Sequence, residues 1–232
     1  MTDIDLRLDR KVQAVIFDMD GVISDTQVLH AKTESELLAR HGIALHPDEI
    51  TRRYAGVRDQ EMFEEIFGNA GLEMPPLEEL LRDKWQSIVG LVRGNVREVP
   101  GTRALIDALS AAKVPMAVGS GSRLSFIEMV LAELGVREKF AAVASAEEVR
   151  RGKPEPDVFL LAAQRLDVAP TDCLVIEDGV SGMIAARRAG MQCIALVREG
   201  GGREYPADRI VENLSAISVA ALLAPLMRVR EG

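Results

Sequence analysis

The sequence predicts an α/β fold: a Rossmann-like core built on a parallel sheet, with an α-helical domain inserted in it. Three observations lead there. The apolar run Val15-Ile16-Phe17 ends abruptly in Asp18-Met19-Asp20-Gly21, as a buried parallel strand does when it delivers polar groups to its C-terminal edge. From Pro100-Gly101 onward, helical and extended patterns alternate, which is the signature of βαβ units. Between about Gln27 and Arg97 no β-rich run occurs and helical spacing dominates. The domain reading is therefore residues 1–26 and 98–232 for the core and residues 27–97 for the helical insert.

Taken in order, Lys11–Phe17 reads as the first strand. In the insert, Leu29, Thr33, Leu37 and Leu38 share one helix face that ends near Gly42. Met62, Phe63, Ile66 and Phe67 define a second helix over 59–67, and Pro75-Pro76 opens another carrying Leu77, Leu80, Leu81, Trp85 and Ile88. Trp85 reads as insert core. His41 and His46 sit at helix ends as surface groups. In the core, Leu105, Ile106 and Leu109 mark a helix, and Val114–Gly119 a strand that runs into Gly119-Ser120-Gly121-Ser122. A helical stripe from Leu124 to Leu134 stops at Gly135, a short strand covers Phe140–Ala144, and a helix covers Pro156–Leu166. The strand Cys173–Ile176 ends in Glu177-Asp178-Gly179, and a helix through Met183 and Ala189 is closed by Gly190. Gln192–Val197 is another strand, Gly200–Gly202 a turn without the context of a nucleotide-binding loop, and Ser215–Met227 the closing helix.

The bulk properties narrow the function. The chain has 232 residues, 47% of them hydrophobic, which is enough for a sizeable core. A formal net charge of −8 argues against a sequence-independent grip on nucleic acid, which needs a basic surface. Cys173 and Cys193 lie in apolar runs and read as buried, reduced thiols, which suits the cytoplasm. The N-terminal residues show no signal-peptide core, and no apolar run is long enough to span a membrane. The expected partner is a small molecule, and nothing demands more than a monomer.

Four polar clusters follow four strands: Asp18 with Asp20, Ser120 with Gly121, Lys153 in Gly152-Lys153-Pro154, and Glu177 with Asp178. A parallel sheet would set all of them along one edge, where ligands of open α/β sheets bind. Residues i and i+2 of an extended segment point the same way, so Asp18 and Asp20 can share a site. Close carboxylates repel unless a proton or a cation lies between them, and oxygen ligands suit a hard cation. Carboxylates with Mg²⁺ can polarise a phosphoryl group while Lys and Ser hold its other oxygens.

On these residues the chain resembles the haloacid dehalogenase (HAD) superfamily, and within it the β-phosphoglucomutase-like phosphosugar phosphatases with a helical C1-type cap. The matching stretches are Asp18-Met19-Asp20-Gly21-Val22 with Asp25-Thr26, Ser120, Lys153-Pro154, and Glu177-Asp178-Gly179-Val180-Ser181-Gly182-Met183. The resemblance implies the HAD fold and a Mg²⁺-dependent phosphatase acting on a small phosphorylated metabolite, such as a sugar or sugar-acid phosphate. It implies that Asp18 attacks phosphorus and that Asp20 serves as acid and then base. It implies that Asp18, the Asp20 carbonyl and Asp178 hold Mg²⁺ with Glu177 at or just outside that shell, and that Ser120, Gly121 and Lys153 bind the phosphate. From the insert, His30, Arg58 and Lys84 are candidate substrate contacts.

A β-phosphoglucomutase-type mutase is the alternative. His30 matches its histidine, but the place of its insert-loop arginine is Asp59 here, with Arg58 one residue earlier. A dehalogenase is disfavoured by the second acid at Asp20, and an idle phosphate sensor by the intact acid and base positions.

Overall fold

The alternation of apolar residues along the central strands decides how the sheet is buried. In the strand β1 (Ala14–Phe17), Val15 and Phe17 face one apolar cluster while Ala14 and Ile16 face another. Both faces are covered, so every strand residue is buried and the strand reads as an unbroken apolar run. The computed structural model describes residue 8, residues 10–197 and residues 205–223.

Six parallel strands form one sheet in the order β3-β2-β1-β4-β5-β6, with β2 at Met116–Ser120, β3 at Ala142–Ser145, β4 at Cys173–Glu177, β5 at Gln192–Leu196 and β6 at Arg209–Val211. The chain leaves β1 for β2 and β3 on one side, then returns to β4, β5 and β6 on the other. The order therefore reverses at β1, which opens a crevice at the C-terminal ends of β1, β2 and β4. Register brings the polar residues level there: Phe17 pairs with Val118 and with Ile176, so Asp18 stands beside Gly119 and Glu177.

Between β1 and β2 the chain makes four helices, α1 (Gln27–Arg40), α2 (Pro47–Tyr54), α3 (Asp59–Ala70) and α4 (Leu77–Val92), before α5 (Thr102–Ala111) rejoins the sheet. Leu37, Leu38, Ile50, Phe63, Ile66 and Leu80 give these helices an apolar cluster of their own. The remaining helices are α6 (Leu124–Glu133), α7 (Asp157–Leu166), α8 (Val180–Arg188) and α9 (Val219–Leu223).

Several elements differ from the expectation. The first strand begins at Ala14, because the Gln13 N–H is spent on the Asp172 carbonyl outside the ladder. The helix α2 carries only two buried residues, Ile50 and Tyr54, too few to announce a period, although His46 at its N-cap and Pro47 at its first position are start signals. Strand β6 is three residues long with one buried side chain. Trp85 does not belong to the insert's own cluster; it packs with the sheet-face core, 5.2 Å ring to ring from Phe126 of α6. Cys173 and Cys193 are free and buried. The Gly200–Gly202 turn and the end of the closing helix beyond Leu223 lie outside the described residues. Among the described residues, no helix is long and apolar enough to cross a membrane.

Candidate active site

Asp18 follows β1 directly and its N–H donates to the Ile176 carbonyl at 2.9 Å, which ties it to the neighbouring strand β4. The chain then winds tightly: the Val22, Ile23 and Ser24 N–H groups all donate to the Met19 carbonyl. Gly21 sits at φ +99° in this turn, and a Cβ there would overlap the Asp178 carboxylate. The turn thus carries Asp18 and Asp20 past the end of β4, where Glu177 and Asp178 are. Ligand oxygens of Asp18, Glu177 and Asp178 lie within 4.8 Å of one another.

Lys153 reaches this trio from the loop before α7. Its Nζ donates to Asp18 Oδ1 at 2.5 Å and to Glu177 Oε2 at 3.2 Å, and lies 4.7 Å from the centre of the Phe159 ring. Glu177 Oε1 also accepts the Gly179 N–H at 3.1 Å. The Glu177 carboxylate fills the space that a side chain at Gly182 would take.

Asp20 is held by a separate set of groups. Thr26 donates its hydroxyl to Oδ1, Ser122 donates to Oδ2 at 2.7 Å, and His30 Nε2 lies 3.4 Å from Oδ1. Ser24 and Thr26 hydroxyls are in turn 2.7 Å apart. Ser120 is fully buried at the end of β2, and its Oγ accepts the Ser122 N–H at 3.0 Å. Ser122 and Thr26 were not among the expected site residues; the i, i+2 spacing of Ser120 and Ser122 beside a strand end was the available signal.

Burial and the neighbouring charges set the electrostatics of each group separately. Burial pushes the Asp18 carboxyl up; Lys153 pulls it back and Asp20 adds to the rise, so it ends above its ordinary value. Burial, together with Asp18 and Asp178, pushes Glu177 well above the usual carboxylate range. Burial would lower the Lys153 ammonium, but Asp18 and Glu177 outweigh it and hold it fully charged. Burial would likewise raise Asp20, but His30, Thr26 and Ser122 win and keep it below its ordinary value. The two raised carboxyls of Asp18 and Glu177, close to Asp178, call for a proton or a cation among them. Three hard oxygen donors fit a divalent cation such as Mg²⁺.

The insert roofs the site. A cavity of about 40 Å³ lies between Asp18, Asp20, Gly121 and Ser122 below and His30, Glu34, Asp59 and Lys84 above. Such a volume suits a few waters at most, since one water needs about 10–15 Å³. The loop between α2 and α3 is pressed onto the core: Val57 bridges Lys153, Ser181 donates to the Ala55 carbonyl, and a Cβ on Gly121 would come within 3.0 Å of the Gly56 carbonyl. Lys84 is buried in this roof, paired with Glu34 at 2.6 Å and with Asp59. Arg58 is not where the expectation placed it. Its guanidinium donates to the Arg150 carbonyl at 3.2 Å, and it does not line the cavity of Asp18 and Asp20. Asp178 also borders a separate groove of about 930 Å³ between α2 and α8.

A parallel sheet whose crevice presents an aspartate at the end of its central strand, a buried lysine and an acidic trio defines a class of hydrolase. Residues 15–196 match the family described as haloacid dehalogenase-like hydrolase, and the chain belongs to it. It is 36% identical over 182 residues to the fructose-1-phosphate phosphatase YqaB of Escherichia coli (strain K12), covering 78% of this chain and 94% of that one. It is 32% identical over 220 residues to the β-phosphoglucomutase of Bacillus subtilis (strain 168), covering 91% and 94%. The solved β-phosphoglucomutase of Clostridium difficile shares the fold, with a TM-score of 0.80 at 24% identity over 90% of this chain and 94% of that one. The chain is accordingly a phosphohydrolase of this family.

Proposed function

We propose that this protein is a Mg²⁺-dependent phosphatase that hydrolyses a small phosphomonoester, a sugar or sugar-acid phosphate, through a phosphorylated Asp18. The observation that carries the reading is the contact of Lys153 Nζ with Asp18 Oδ1 at 2.5 Å inside the acidic trio, because it aims a carboxylate and its counter-charge at one point. In the first half, an Asp18 oxygen forms a bond to phosphorus while the bond to the leaving oxygen breaks; Asp20, held below its ordinary value in this structure, first takes up a proton from solvent and then passes it to that oxygen. In the second half, water attacks the phosphoaspartate, Asp20 takes the water proton, and phosphate leaves with Asp18 regenerated. Lys153, Ser120 and the Gly121 amide hold phosphoryl oxygens as charge moves. Asp18, the Asp20 carbonyl and Asp178 would hold Mg²⁺, with Glu177 beside them; the ion would offset charge on the phosphoryl oxygens.

Residues 27–97 act as a cap in this reading. The small volume left under the insert supports it: substrate enters when the insert lifts and is shielded from water when it returns. The relative that is a fructose-1-phosphate phosphatase supports the substrate class. The resemblance to a β-phosphoglucomutase keeps one alternative in view, but Asp59 stands at the mutase arginine place and is tied to Lys84. We also place the enzyme in the cytoplasm, where nothing in this reading demands more than a monomer.

The test is phosphate release from a panel of phosphomonoesters, with and without Mg²⁺, for the wild type and Asp18→Asn. Release that needs Mg²⁺ and vanishes in a folded Asp18→Asn variant is expected. Isomerisation of β-glucose 1-phosphate without net release would favour the mutase, and an active Asp18→Asn variant would remove the nucleophile.

A further inference from the structure

The roof of the cavity carries a charge pattern that the hydrolytic chemistry does not use. Lys84 on α4 has a side chain only 3% exposed, caged by Glu34 of α1 at 2.6 Å and Asp59 at the start of α3. Burial would lower its ammonium, but Asp59 and Glu34 hold it above its ordinary value, so it stays charged inside the cage. Two carboxylates around one ammonium leave the roof anionic by one charge. All three residues line the same cavity as Asp18 and Asp20, so they face whatever the phosphoryl group is attached to. Among the described residues, no other basic side chain near the roof pairs with Glu34 or Asp59. His30 lies against Asp20, Arg58 donates to the Arg150 carbonyl, and Arg123 lies over the Trp85 ring beside Glu147.

Resting on the phosphatase reading above, we infer that Glu34, Lys84 and Asp59 form a hydroxyl-reading roof that selects an uncharged polyol leaving group and rejects a substrate with a second phosphoryl group. A carboxylate offers about four lone-pair sites, so one contact with Lys84 leaves each acid able to accept a substrate hydroxyl. An ammonium has three N–H donors, and two acids leave one for a substrate oxygen. The neutral amide of Gln27, which also lines the cavity, adds donors and an acceptor without charge. A second phosphoryl group brings roughly −1.5 to −2 charges at neutral pH. It would meet the Glu34 and Asp59 carboxylates, with a single N–H of Lys84 left to receive it. Neutral hydroxyl groups meet no such opposition. Selectivity of this kind comes from the repulsive element as much as from the attractive contacts.

The experiment compares kcat/KM for fructose 1-phosphate, fructose 1,6-bisphosphate and p-nitrophenyl phosphate in the wild type, Glu34→Gln and Asp59→Asn. In the wild type, the bisphosphate is expected to be poorer than the monophosphate by at least about 100-fold, the scale a close like-charge contact supports. Each variant removes one negative charge and should narrow that ratio by about 10-fold or more while raising KM for the monophosphate. Circular dichroism melts establish that each variant is folded, and the wild-type ratio stands as a test if either is not. Equal turnover of mono- and bisphosphate by the wild type overturns the inference. So does an unchanged ratio in folded variants whose melting temperature alone has fallen, which would make the cage purely structural. Failure of all three compounds to release phosphate would instead sink the phosphatase reading itself.

Discussion

Gly182 offers a decisive perturbation, because two effects of known size oppose each other there. It lies inside α8, where alanine is the better helix former by about 1 kcal/mol. On propensity alone, Gly182→Ala should stabilise. But a Cβ at this position would fall within 2.6 Å of Glu177 Oε2 and overlap the rest of the carboxylate. Glu177 would have to leave its contacts with Lys153 at 3.2 Å and with the Gly179 N–H at 3.1 Å. Breaking a buried, hydrogen-bonded charge contact costs about 3–5 kcal/mol. The clash wins, and the net loss is about 2–4 kcal/mol. For a chain of this size each kcal/mol is worth roughly 2–4 °C, so the melting temperature without metal should fall by roughly 4–16 °C. Moving an acid beside the proposed Mg²⁺ ligands should also weaken Mg²⁺ binding by about 10–100-fold. Calorimetry in EDTA and a Mg²⁺ titration of phosphate release measure both. A Gly182→Ala protein that melts at or above the wild-type temperature with an unaltered Mg²⁺ requirement would refute the reasoning.

Other outcomes follow from the same geometry. Lys153→Met leaves Asp18 and Glu177 facing each other without a counter-charge; turnover should drop by at least about 1,000-fold, measured as phosphate release, with folding checked by circular dichroism. Saturating Mg²⁺ at about 100 times its Kd should add about 2.7 kcal/mol of stability, or roughly 5–11 °C in a thermal melt. That gain should shrink with acid. Asp18 and Glu177 carboxyls lie above their ordinary values, so the metal-free folded state binds more protons than the unfolded chain and gains stability as pH falls through the raised window. Mg²⁺ must displace those protons, so its stabilisation should be larger at about pH 8 than at about pH 5. Gly152→Val would set a branched side chain where a Cβ already comes within 2.7 Å of the Arg58 Cβ, and so prop the insert away from the core. Its kcat should fall by about 10-fold or more with a melting temperature close to wild type, read by steady-state kinetics beside a thermal scan.

The central strands were legible because burial on both faces writes an unbroken apolar run, and the same runs mark where each one stops. That placed Asp18, Lys153, Glu177 and Asp178 near one sheet edge before any coordinates, and they do meet there. The pieces missed are those whose identity depends on the partner rather than on the period. Helix α2 has two buried residues and β6 one, so neither announces itself. Trp85 has the spacing of the insert's core but packs on α6, because periodicity says which face of a helix is apolar and not what covers it. Arg58 was one residue from a pattern position, and its true neighbour, the Arg150 carbonyl, is ninety-two residues away in sequence. Thr26 and Ser122, which grip Asp20, lay in view, one in the Asp25-Thr26 pair and one two residues after Ser120, but spacing does not say that both hydroxyls turn toward Asp20.

Trp85 is the sole tryptophan of the chain, and it lies on the seam between insert and core. Its ring meets Phe126 at 5.2 Å and 61°, with His30 at 5.7 Å, and among the described residues its buried Nε1 has no hydrogen-bond partner. An indole in that position is dry when the two halves touch and wetted when they part. Its intrinsic fluorescence should therefore move to longer wavelength on separation. The unlabelled protein carries its own optical gauge, and stopped-flow mixing with phosphorylated sugars can time the motion apart from the bond-breaking step.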